Sequence, residues 1–285
     1  MIRFRRMIRL LIVATTFSAM LIAGTGVAAA FQTPSVPSGG TQIVSVTTKD
    51  GWVVCGDKRL YDVIRGDRDV AQKVRNAGNV AIFDATGASI IADISEGDVF
   101  NAEDVVDRFL SNEKFVDEPG FWQNLLTYLT GTLKETLRIH PLSRHGGVDT
   151  SFLLQFYWID TDGTLVTLNS RVDYSDSENI RIEQTAYRSG DEFASSGFAG
   201  EKFLYEEIVS GTNPEFDDLR RDKQIRRLLE RPKKMDVTSM DAVAFARRFI
   251  RLASERGPLL NPGMQHISPA SDCLSLDANG VHTLP

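Results

Sequence analysis

The sequence predicts an α+β fold, an antiparallel strand meander packed against amphipathic helices with a helical C-terminal part. Three stretches carry that reading. Residues 152–159, FLLQFYWI, are rich in strand formers, and two more strand-like runs follow them across Asp-Gly and Ser/Asp/Asn turns. Trp122, Leu125, Leu126, Leu129, Leu133 and Leu137 recur at i, i+3, i+4, i+7 and lay one apolar stripe along a helix. Ala242, Phe245, Ala246, Phe249, Ile250 and Ala253 repeat the pattern near the C-terminus.

In chain order, residues 1–30 come first and stand apart. Arg3, Arg5, Arg6 and Arg9 form a basic head, Leu10 to Val27 is mostly apolar, and Ala28-Ala29-Ala30 closes it. That order predicts a secretory signal peptide cleaved after Ala30. The apolar run is near the ~20 residues needed to span a bilayer, so an uncleaved inner-membrane anchor with the domain outside the cytoplasm is the alternative. Residues 31–40, FQTPSVPSGG, read as a flexible linker. A globular region is expected over 41–257, with possible subdivision near 100 and 212, and an irregular tail over 258–285.

Within the globular region, 41–48 and 52–55 read as short strands about the Lys49-Asp50-Gly51 turn. Asp67 is placed to cap a short helix through Val70 and Val74 that stops at Gly78. Residues 79–85 and 89–94 read as a strand pair about Thr86-Gly87. Asn101 is a good N-cap, with Glu103 and Asp104 in the first turn of a helix whose apolar face is Val105, Val106, Phe109 and Leu110. The Trp122 helix begins near Pro119 and ends at Pro141. Strands follow at 152–159, 165–174 and 180–188. Asn213-Pro214 opens a helix to about Arg231, and Thr238 or Ser239 caps the last helix, which Gly257-Pro258 stops.

Two cysteines, Cys55 and Cys273, lie beyond the leader, and an oxidising compartment favours a bridge between them. The whole chain carries 32 Lys+Arg and 38 Asp+Glu, and loss of the four leader arginines leaves a net charge of −10. A body so acidic is a poor electrostatic match for nucleic acid. Against that background, residues 213–256 hold twelve Lys and Arg to eight Asp and Glu. This basic helical segment is a candidate contact for an anionic surface or an acidic protein partner, or a face that closes on the protein's own carboxylates.

Recognisable chemistry is sparse. His140, His145, His266 and His282 fall in no metal-ligand spacing, and no metal or cofactor is predicted. Arg144-His145-Gly146 resembles the tripeptide of the histidine phosphatases, where it follows the first strand of a large α/β sheet. Here it follows a helix and Pro141, and reads as a polar loop. Asp160-Thr161-Asp162-Gly163 has half the ligands of a calcium loop and is explained by a hairpin turn. There is no G-x-S-x-G elbow and no phosphate-binding glycine loop. Catalytic residues stay unassigned. The expectation is an exported bacterial protein, periplasmic or secreted, acting by binding in the cell envelope, with peripheral contact or the N-terminal anchor as its only links to a membrane. The alternative is a secreted hydrolase whose site lies in the 140–149 loop, where His140, Arg144, His145 and Asp149 cluster.

Overall fold

The computed structural model describes residues 41–62, 66–69, 72–93, 97–142, 150–189, 196–200, 203–229 and 237–285. The expected leader, its cleavage at Ala30, the 31–40 linker, and Arg144, His145 and Asp149 lie outside the described residues.

The strands are β1 (Gln42–Thr47), β2 (Trp52–Asp57), β3 (Arg59–Asp62), β4 (Gly66–Asp69), β5 (Val74–Ala77), β6 (Ala81–Gly87), β7 (Ile90–Asp93), β8 (Gly97–Asn101), β9 (Ser151–Ile159), β10 (Leu165–Asp173), β11 (Arg181–Ser189), β12 (Ser196–Gly200), β13 (Ser271–Asp277) and β14 (Gly280–Leu284). The α-helices are α1 (Ala102–Leu110), α2 (Pro119–Ile139), α3 (Phe203–Ser210), α4 (Asp217–Arg221), α5 (Lys223–Leu229) and α6 (Ser239–Arg256). One sheet runs β12-β1-β2-β13-β14 and a second runs β11-β10-β9-β6-β5, with every pairing antiparallel.

The two sheets face each other, and alternation along each strand decides which side chains meet. Ile43, Trp52, Val54, Leu274 and Leu276 of the first sheet meet Val74, Ile82 and Tyr157 of the second. Trp52 and Tyr157 pack edge to face, 5.4 Å between centroids. The alternate residues point outward under helices. Val44, Val46, Val53, Cys55 and Cys273 lie against Phe245, Ala246, Phe249 and Ile250 of α6. Phe83, Phe152, Phe156 and Trp158 lie against Val106 and Phe109 of α1 and Leu125, Leu129 and Leu133 of α2. The result is four layers, helix–sheet–sheet–helix, so β2 and β9 are buried on both faces. That is why their sequences are largely apolar on both faces, with Gln155 the polar exception inside β9.

Helices α1, α2 and α6 and strands β9, β10 and β11 fall where the patterns place them. Asn101 caps α1 by accepting from the Asp104 N–H at 3.2 Å. Thr238 caps α6 by accepting from the Asp241 N–H at 3.2 Å. Trp122 packs on Phe156 and Trp158, with centroids 5.1 and 5.6 Å apart.

Other segments differ from expectation. The helix expected over 67–78 is instead strand β4, then β5, because Gly78 and Asn79 both sit at φ 64° and turn the chain straight into β6. Two consecutive residues at positive φ reverse the chain within the three-residue connection 78–80, and glycine and asparagine tolerate that conformation best. The strands around Thr86-Gly87 form but do not pair with each other. β6 pairs with β5 and β9, while β7 pairs with β8. The expected helix from Pro214 to Arg231 breaks at Asp222, whose ψ of 113° ends α4. Its Oδ1 then accepts from the Gln224 and Ile225 N–H groups and starts α5. The tail over 258–285 is not irregular. Cys273, Leu274 and Leu276 bring β13 into the first sheet beside β2, and β14 completes the edge. Residues 41–285 belong to one compact unit.

Candidate active site at the head of the first strand

Thr41 stands immediately before β1 and is 8% exposed. Asp57 ends β2 and is 1% exposed. Lys73 immediately precedes β5 and is 5% exposed. The Lys73 ammonium donates to the Thr41 hydroxyl at 3.2 Å and to Asp57 Oδ2 at 2.9 Å. A buried ion pair needs further hydrogen bonds to offset its desolvation, and Asp57 collects several. Asp57 Oδ2 also accepts from the Gln42 N–H at 2.7 Å, while Oδ1 accepts from the N–H groups of Arg59 and Ser268 at 2.9 and 3.2 Å.

Local geometry explains the meeting. In the β1–β2 register Ile43 faces Gly56, which sets Gln42 opposite Asp57 and aims its N–H at the carboxylate. Gly56 is the residue over which Lys73 and Val74 pass. A Cβ there would lie 2.8 Å from Ile43 Cδ1, 3.0 Å from Val74 Cγ2 and 3.3 Å from Lys73 Cβ. The missing side chain lets the segment carrying Lys73 lie down on the β1–β2 pair.

A cleft of about 400 Å³ opens at this point. Thr41 and Lys73 form one end, with Arg75, Ala85, Glu103 and Asp107 among its walls. Arg75 donates to Asp104 at 2.8 Å and also bonds Asp107. Glu103, in the first turn of α1, is 5% exposed. Burial pushes its carboxyl up to about 7, against the pull of its own backbone N–H and of Arg75 and Lys73. Among the described residues its Oε2 has no hydrogen-bond partner. Deeper, between the sheets, burial holds the Asp84 carboxyl well above the usual carboxylate range beside the Tyr157 phenol. A second, larger groove of about 570 Å³ lies between α2 and β9–β11, lined by Trp122, Trp158 and Leu168. It is remote from the Thr41 cluster and brings no nucleophile beside a base.

Cys55 and Cys273 face each other across the β2–β13 pair, their sulfurs 2.04 Å apart, so the bridge expected from the sequence joins adjacent strands. Of the 140–149 cluster only His140 is described, at the C-terminal end of α2. The basic segment makes many internal pairs. Arg220 bonds Glu207 and Asp217, Arg248 bonds Asp222, and Arg256 bonds Asp218 while lying 4.8 Å over the Phe216 ring.

Sequence reasoning missed Thr41, Asp57 and Lys73. Single Thr, Asp and Lys residues read as surface, and Lys73 fell inside the wrongly expected helix. The one available signal was Asp57 directly after the apolar run Trp52–Gly56.

No protein-family model matches the sequence, and no curated protein is significantly similar to it. Among solved structures the chain is similar to one described as "Anbu (Gly-1) mutant from Hyphomicrobium sp. strain MC1". The likeness is 11% in identity, spans 86% of this chain and 85% of that one, and has a TM-score of 0.44.

Proposed function

We propose that the protein is an exported amide- or peptide-bond hydrolase that uses the Thr41 hydroxyl as its nucleophile. The observation that carries this reading is the buried Lys73 ammonium, bonded at once to Thr41 Oγ1 and to Asp57 at the mouth of a cleft. A threonine hydroxyl is a weak nucleophile until a neighbour removes its proton or stabilises its oxyanion. Lys73, held in place and neutralised overall by Asp57, supplies positive charge where the alkoxide develops. The proton acceptor in this reading is the α-amine of Thr41 itself, freed by cleavage of the Gly40–Thr41 bond. An α-amine has an ordinary pKa near 8, so a useful fraction is neutral at pH 7–8. Gly39-Gly40 places no side chain against the scissile bond.

The balance is that of acyl transfer. Thr41 Oγ bonds to the substrate carbonyl carbon, its proton passes to the α-amine and then to the leaving nitrogen, and the C–N bond breaks. Water then attacks the ester, releasing a carboxylic acid and restoring the hydroxyl. Export fits the same scheme, since an Arg-rich leader followed by residues 31–40 offers two successive trims before Thr41. The Cys55–Cys273 pair suits an oxidising compartment.

The test is expression of the full chain and of Thr41→Ala, followed by intact mass and digestion of a mixed peptide pool. The wild-type chain is expected to begin at Thr41 and to cut peptides, and Thr41→Ala to lose at least about 10³-fold of that rate. Equal cleavage by the two chains would refute the assignment.

A further inference from the structure

We infer that His266 is a positioning residue of the Thr41 site, holding Asp57 in place through a side-chain clasp with Asp67. This rests on the hydrolase reading and names a residue that governs the same site from outside the cleft.

Asp57 holds Lys73 through Oδ2, and its Oδ1 accepts from the N–H groups of Arg59 and Ser268. Neither donor belongs to β2. Arg59 opens β3, and Ser268 lies between the short 3₁₀ turn Pro262–His266 and β13. Side chains tie these two stretches together. His266 Nδ1 bonds Asp67 Oδ1 at 2.6 Å, and the Arg59 guanidinium reaches Asp67 Oδ2 at 3.6 Å and the Gln265 carbonyl at 3.4 Å. Asp67 in β4 therefore joins β3 to the segment that carries Ser268. Both donors to Asp57 Oδ1 follow from this clasp, since Arg59 is one of its members and Ser268 comes just after His266-Ile267. The clasp also has a direction. Gln265 Nε2 lies 3.1 Å from His266 Nε2, and an amide NH₂ only donates. His266 Nε2 thus accepts, and the ring proton sits on Nδ1 facing the Asp67 carboxylate. The ring is 8% exposed, a setting in which a hydrogen bond to a carboxylate is stronger than it is in water.

His266 is not what docks the segment. Ile267 is buried in the core under α6, and Cys273 bridges β13 to β2. The imidazole adds fine placement of the two N–H groups. When they drift, Asp57 turns and the Lys73 ammonium leaves Thr41 Oγ1, and a misplacement of about 1 Å at a reacting group costs about 10²-fold in rate.

The test compares the full wild-type chain with His266→Ala, His266→Asn and Asp67→Ala. Amide exchange read by NMR needs no catalysis. The N–H groups of Arg59 and Ser268 are expected to exchange at least about tenfold faster in His266→Ala, with those of β1 unchanged. On the peptide that the wild-type chain cuts best, His266→Ala is expected to lose at least about tenfold in kcat with KM within about twofold, because none of the clasp residues lines the cleft. Asp67 has a side chain 37% exposed, so Asp67→Ala tests the same clasp without opening the core, and the same loss is expected. His266→Ala/Asp67→Ala is expected to lose no more than either single variant, as two partners in one interaction do. His266→Asn, whose amide N–H stands in for Nδ1–H, is expected to recover most of the rate. Unchanged exchange, unchanged kcat, additive losses or no recovery in His266→Asn overturns the clasp and leaves the hydrolase standing. Faster exchange in His266→Ala, with no peptide cut by the wild-type chain, overturns the hydrolase reading alone.

Discussion

Lys73 and Asp57 form a buried ion pair that the Thr41 hydroxyl joins through one hydrogen bond, and each member has a separable consequence. Lys73→Met keeps the length of the side chain and removes its charge. It is expected to lower peptide cleavage by about 10²–10³-fold. Asp57→Asn leaves a buried ammonium without its counter-charge, which costs about 3–5 kcal/mol of stability, read as a shifted denaturant midpoint. Glu103 has the opposite character. Burial raises its carboxyl from 4.5 to about 7, so the folded chain holds that proton more tightly than the unfolded chain. The stability it permits is fully present below pH 4.5 and is lost as pH rises towards 7. Glu103→Gln is therefore expected to be more stable than wild type at pH 8, by up to about 3 kcal/mol, and to show no such advantage at pH 4. Urea unfolding of both chains at the two pH values measures the difference. None of these residues was legible as functional in the sequence. A carboxylate or an ammonium is by default a surface group, and only the three-dimensional meeting of 41, 57 and 73 removes them from water.

At the scale of elements, what the sequence disclosed followed from periodicity, and what it hid followed from pairing. The α2 stripe and the β9–β11 meander were readable because each has an unbroken pattern and standard turn residues. The segment 67–78 misled because Val70, Val74 and Gly78 have helical spacing, while the turn chemistry lay in Gly78-Asn79, the reverse of the familiar Asn-Gly order. The C-terminal strand β13 was hidden because its seven residues alternate polar and apolar only weakly, and its partner β2 is more than two hundred residues away. Gly56 is the element-level device that seats Lys73. Gly56→Ala is expected to leave the fold recognisable by circular dichroism and to reduce peptide cleavage, since the new Cβ crowds Ile43 Cδ1 and Val74 Cγ2 and presses on Lys73 Cβ at 3.3 Å.

Across the whole molecule, the site depends on the closing of the chain. The first and last thirds supply neighbouring strands of one sheet, and Cys55–Cys273 locks them across a sequence separation of 218. Joining points so far apart in sequence restricts the unfolded chain, and removing such a bridge costs about 2–5 kcal/mol. The paired change Cys55→Ala and Cys273→Ala is expected to lower the thermal midpoint, and activity measured below that midpoint to persist, because Asp57 keeps its four donors without the bridge. The same four-layer packing sets the head of β1 against the cleft walled by Glu103, Asp104 and Asp107, which ties the fold to the proposed chemistry. The most direct test of that tie is reaction of the purified chain with a peptidyl β-lactone, followed by peptide mapping. One acyl group is predicted, in ester linkage to Thr41 at the new N-terminus. Stoichiometric acylation elsewhere, or an unmodified Thr41 in a chain that still cuts peptides, would contradict the account.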